Sequence, residues 1–173
     1  MTQFYRHRSH TYTNIQLTSL LVLRFLTGWH ILYEGTAKAL NPQWSSAVFL
    51  QESQWLLSGF AEWVVSNPGA LAIADFLNTW GLIAIGLGII TGLFFRIAAI
   101  TGSVLLFIYY LNSPPLIGME YTLPARGHNL IVDNNLIEAA ALFILAVFPT
   151  SRIFGFDAFI SRKKTKEQTG EFT

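Results

Sequence analysis

Four apolar runs, each close to the thickness of a bilayer, divide this chain of 173 residues. They fall at about residues 16–40, 70–95, 97–113 and 131–149. The first reads QLTSLLVLRFLTGWHILYEGTAKAL and the last contains NNLIEAAALFILAVF. A run of about 20 apolar residues crosses hydrocarbon only as a helix, because there the backbone must satisfy its own hydrogen bonds. The expected fold is therefore all-α, a four-transmembrane-helix bundle over residues 16–150, with a tail at 1–15 and an interfacial helix and tail at 151–173. Composition agrees: 12% of residues are charged, against about a quarter in soluble domains.

Composition also excludes several chemistries. The chain lacks cysteine, which rules out disulfides, cysteine-ligated iron–sulfur clusters, thiolate zinc sites and dithiol redox chemistry in the chain itself. His7, His10, His30 and His128 show no HxxxH or HxxEH spacing, so no metal site is expected. The basic face of a nucleic-acid binder is missing as well. Arg6 and Arg8 ahead of an apolar run superficially resemble a signal peptide. That run contains Arg24, lacks an A-x-A cleavage pattern and is too long, so a retained span is expected.

Lysine and arginine distribution orients the bundle. One side would hold Arg6, Arg8, Arg96, Arg152, Arg162, Lys163, Lys164 and Lys166, and the other only Lys38 and Arg126. By the positive-inside rule both termini are expected in the cytoplasm. Between the first two runs, residues 43–67 are apolar but broken by Gln51, Glu52, Ser53 and Gln54, and carry Trp44, Trp55 and Trp63. This pattern fits one or two short helices on the outer, periplasmic surface; the alternative is a fifth, broken span. The basic, aromatic stretch 151–166 fits an anchor on an anionic inner leaflet.

Arg24 and Glu138 are charged residues inside spans. Either one alone in hydrocarbon costs at least about 2.5 kcal/mol, so each needs a partner. At 100° per residue Arg24, Gly28, Ile31, Gly35 and Lys38 share one face of the first helix, with Trp29 and Tyr33 opposite, towards lipid. Asn134, Glu138, Ala141 and Leu145 share a face of the fourth, and Ala84, Gly88 and Gly92 make a close-packing stripe on the second. Counting 1.5 Å per residue puts Arg24 about 12 Å and Glu138 about 16 Å from the cytoplasmic side, so an Arg24–Glu138 ion pair is expected. Such a pair either locks helix register or lines a polar cavity with Asn134 and His30. His30 sits about 120° off the charged face, where a packed or interfacial role competes with ligand binding. Glu34 and Lys38 have the spacing of a simple helix pair. Lys38, with Arg126 in the loop that also carries Glu120, Tyr121 and His128, offers cations to an anionic substrate; a solvated loop is the plainer reading.

The ordered set Arg24-x3-Gly28-x6-Gly35-x2-Lys38, then WGLIAIGLGIITGLFFR, LNSPP and NLIVDNNLIEAAALFILAVFPTSR resembles the DoxX family of bacterial membrane proteins, from about Leu20 to Ile160. The resemblance implies a four-helix bundle in the inner membrane. It also implies kinship with the DoxD-type large subunit of thiosulfate:quinone oxidoreductase, in which a membrane quinone accepts electrons as thiosulfate becomes tetrathionate. On that likeness Arg24, Lys38, Asn134 and Glu138 are the polar residues carried over, with Arg24 and Glu138 as catalytic and Lys38 and Asn134 as substrate- or quinone-binding; Arg126 and His30 join the binding set by their own placement in the sequence. The cofactor would be a membrane quinone, without a metal, and the donor half would need a periplasmic or membrane redox partner; a homo-oligomer is compatible with this. The competing expectation is a non-enzymatic scaffold or small-solute transport component whose Arg–Glu pair is structural.

Overall fold

The computed structural model describes residues 13–116, 121, 130–148 and 155. Among these residues it is all-helical, with no strand. In chain order the helices are α1 (Asn14–Ala39), α2 (Ala47–Gln51), α3 (Ser58–Ser66), α4 (Pro68–Thr91), α5 (Phe95–Asn112) and α6 (Asn134–Val147). Helices α1, α4 and α5 are each long and apolar enough to cross a membrane. Helix α6 has 14 residues, about 21 Å, and is apolar but shorter than a full span. The expected fifth, broken span is absent, since residues 43–67 form α2 and α3, of 5 and 9 residues. The expected anchor at 151–166 lies outside the described residues, apart from Gly155.

Local chemistry fixes where the helices begin and end. Thr13 and Gln16 close a capping box ahead of α1. Asn67 accepts from the Gly69 and Ala70 amides, with Pro68 as first residue of α4. Helix α4 stops at Gly92, whose φ of 72° is the left-handed conformation that favours glycine. The Asp133 carboxylate caps α6 by accepting from the Leu136 amide.

Four helices run alternately up and down around one apolar core. Helix α1 packs mainly on α4, α4 on α5 and α5 on α6, and the seam between α6 and α1 is the loosest. Ile31, Leu82, Ile85, Ile89, Phe95, Leu106, Leu142 and Leu145 fill the centre. The outward faces are equally apolar: Phe25, Trp29, Tyr33, Phe76, Trp80 and Phe143 are all more than half exposed. A bundle apolar inside and out has lipid as its solvent, and we read this chain as a membrane protein.

Backbones approach closely where side chains are missing. A Cβ on Gly86 would lie 2.7 Å from the Leu32 backbone, and one on Gly35 2.8 Å from the Ile83 amide nitrogen. These contacts join α1 to α4, as small residues do in membrane bundles. The expected stripe Ala84–Gly88–Gly92 is corrected. Ala84 is exposed, Gly88 faces Ala98 of α5, and Gly86 is the residue that admits α1.

At the Lys38 end, α2 and α3 pack over the bundle through polar ties. Asp75 accepts from the Ser46 amide at 2.7 Å and from its hydroxyl. Asn112, 2% exposed, donates from Nδ2 to the Phe49 carbonyl.

Candidate functional site

Arg24 and Glu138 do not pair with each other. The Arg24 side chain is 3% exposed and lies at the C-terminal end of α4. Its Nε donates to the Ile89 carbonyl at 2.6 Å and its Nη2 to the Ile90 carbonyl at 3.1 Å, and the guanidinium sits over the Phe95 ring at 4.7 Å. A helix end leaves its last carbonyls without partners, a serious cost where no water reaches. The cation also meets the negative end of the helix dipole. Gly92 leaves room for it, since a Cβ there would collide with Nη2. The face carrying Arg24, Gly28, Ile31 and Gly35 is buried as expected, but it faces α4 rather than α6.

Glu138 belongs to His30. The carboxylate, when ionised, can only accept, so His30 Nδ1–H donates to Oε2 at 2.8 Å and Oε1 at 3.0 Å. This bond bridges the loose seam between α1 and α6. The His30 side chain is 50% exposed and that of Glu138 13%. The expected depth match therefore fails by six residues, about 9 Å along α1. The turn of about 120° that sets His30 apart from Arg24 is what aims it at α6.

An open groove of about 390 Å³ runs along α1, lined by Ile15, Thr18, Ser19, Val22, Leu23 and Leu26. Ile15, Ser19, Leu23 and Leu26 precede His30 by 15, 11, 7 and 4 residues. That spacing puts them within about 60° of its direction at 100° per residue. Thr18 and Val22 lie further round, at about 120° and 80°, and the groove ends at Leu26, one turn before His30.

A third polar group gathers at the Lys38 end. Lys38 Nζ donates to Asn78 Oδ1 at 2.8 Å and stands 5.1 Å from the centre of the Trp44 ring and 5.5 Å from that of Tyr109. The Tyr109 hydroxyl lies beside Asn78 but makes no hydrogen bond of normal geometry. Glu34 lies one turn from both His30 and Lys38, within electrostatic reach of Glu138 and of Tyr109.

Of the other expected site residues, Asn134 is exposed in the first turn of α6, and its side chain makes no hydrogen bond to a described residue. Arg126 lies outside the described residues. Sequence reasoning missed Asn78 and Tyr109, each a single polar group in an apolar helix. It also missed the His30–Glu138 bond, for which the phase of His30 was the available signal. No group of three or more His, Asp or Glu that could hold a metal ion occurs among the described residues.

Compared with protein-family models, curated proteins and solved structures, the chain finds no match in any of the three.

Proposed function

We propose that the chain is a four-span inner-membrane protein that binds a membrane quinone and serves as the quinone-interacting subunit of an oxidoreductase, of the thiosulfate:quinone type or a related one. The observation that carries this reading is the His30–Glu138 pair on the lipid-facing seam, with an apolar groove on α1 that ends one turn before it. A quinone is an apolar tail joined to a head with hydrogen-bonding oxygens, and this surface offers both in that order. The carboxylate accepts from Nδ1–H, and when the ring carries its second proton Nε2–H donates to a carbonyl oxygen of the head. Reduction to quinol takes up two electrons and two protons. The electrons come from an anionic reductant such as thiosulfate, two of which couple through a new S–S bond, by way of a redox partner. The protons are delivered where His30 and Glu138 stand. Arg24 contributes indirectly, by holding α1 on α4. In this reading both termini are cytoplasmic, α2 and α3 lie on the periplasmic surface, and the resemblance to DoxX proteins supports that arrangement.

A second reading draws on the Arg24 bonds, which tie one helix to another. There the chain is a non-enzymatic scaffold or small-solute transport component, and its charged residues hold helices together. Purified protein separates the two readings through bound quinone and thiosulfate-dependent quinone reduction. The quinone-site reading predicts that wild type retains quinone and that a His30→Ala, Glu138→Gln variant loses it while still melting cooperatively. Wild-type quinone content and reduction in that variant would refute it.

A further inference from the structure

The buried side-chain atoms left without a hydrogen-bond partner among the described residues all lie at the Lys38 end. They are Ser53 Oγ, the Tyr109 hydroxyl and Asn112 Oδ1. Tyr109 and Asn112 stand three apart near the end of α5, and Phe49 of α2 sits against both. Its ring meets Tyr109 edge-on, with centroids 5.4 Å apart, and its carbonyl accepts from Asn112 Nδ2 at 2.8 Å. Lys38 of α1 stands over the Tyr109 ring and that of Trp44, just ahead of α2, and bonds to Asn78 of α4. Asp75 of α4 holds the start of α2 through Ser46. Ser53 follows α2 by two residues. The short cap thus roofs a polar cluster drawn from α1, α4 and α5, with Trp44, Phe49 and Tyr109 as its aromatic walls.

Buried polar groups without partners are rare and costly, so three at one end of a bundle call for a ligand. What each atom can do narrows the class of that ligand. Asn112 is 2% exposed, its Nδ2 is committed to the Phe49 carbonyl, and its Oδ1 can only accept. An anion without a proton would meet that oxygen lone pair to lone pair. The Tyr109 and Ser53 hydroxyls can each donate or accept. Another O–H group, which does both, suits all three. We propose that the cluster under α2 is a binding site for hydroxyl-bearing ligands, either water or the hydroxyl of a small solute. The ligand donates to Asn112 Oδ1 and bonds to the Tyr109 and Ser53 hydroxyls. Lys38 follows His30 by eight residues, about 12 Å along α1. This site is therefore separate from the mid-membrane pair and does not depend on a quinone.

The full chain in lipid nanodiscs tests this in two ways. Tyr109→Phe removes only the hydroxyl. With that oxygen bonded to a ligand, its loss lowers the melting temperature by about 2–4 °C, as one ordinary hydrogen bond does in a chain of this size. With that oxygen bonded to nothing, its removal relieves a buried polar group. Melting then stays level or rises, which would overturn the site. Wild-type protein gives the second test and identifies the ligand. Brief X-ray radiolysis turns bound water into hydroxyl radicals that oxidise adjacent rings, scored by peptide mass, while a scavenger consumes radicals from bulk solvent. Water under α2 makes Tyr109 react several-fold faster than Tyr110, whose hydroxyl is taken by the Ile131 carbonyl. A solute hydroxyl instead shows as a small retained mass in native mass spectrometry. Absence of both the labelling and a retained mass would overturn the site, whatever the melting of the variant.

Discussion

Arg24 shows how a charge inside a membrane helix can serve the open end of a neighbouring helix. Its guanidinium satisfies two carbonyls that the end of α4 leaves open and stacks on Phe95. Hydrogen bonds to charged groups are worth about 1.5–3 kcal/mol, so Arg24→Ala should destabilise the bundle by that order, read as thermal unfolding in detergent. Arg24→Lys should recover only part of the loss, because an ammonium lacks the planar fork that reaches two carbonyls together. Equal stability of all three proteins would remove Arg24 from this role. That Arg24 needs a partner is legible in its apolar context; which partner is not. Helical phase defines a face, and α1 has neighbours on two faces. Gly28 and Gly35 share the Arg24 face and mark the side of closest backbone approach, a signal that leads to α4. His30, turned away from that face, is left for α6.

At the scale of elements, length and breakers made the helices legible. The apolar runs at 70–95 and 97–113, the latter closed by Ser113-Pro114-Pro115, predict α4 and α5 to within a few residues, although the stop of α4 at Gly92 was not foreseen. Register was less accessible, because it depends on which small residue meets which backbone. A pair of alanine substitutions tests the observed register. Gly86→Ala brings a Cβ within 2.7 Å of the Leu32 backbone, and such overpacking costs about 1–3 kcal/mol. Gly81→Ala meets nothing within 4 Å and exchanges glycine for a better helix former. The first should lower the melting temperature and the second leave it level or raise it. The opposite order would mean that α1 and α4 meet along a different stripe.

For the whole molecule, the up-and-down path carries α1, α4, α5 and α6 between two ends, and the four-span topology follows if α6 completes its crossing. The chain has no cysteine, so single cysteines report sidedness cleanly. Ser58→Cys should react with an impermeant maleimide in intact cells, while Ser9→Cys and Thr169→Cys should react only after permeabilisation. Labelling of the two terminal cysteines from opposite sides would mean an odd number of spans. The membrane character was legible because lipid imposes a simple length rule; the site was not, because it depends on a bond across the seam between helices far apart in sequence. The central claim, that this seam holds the head of a quinone at His30 and Glu138, is tested most directly by photolabelling membranes with an azido-quinone and mapping the adducts. The account predicts adducts in residues 26–34 and 134–142, lost in Glu138→Gln. Adducts confined to other helices, or undiminished in that variant, would contradict it.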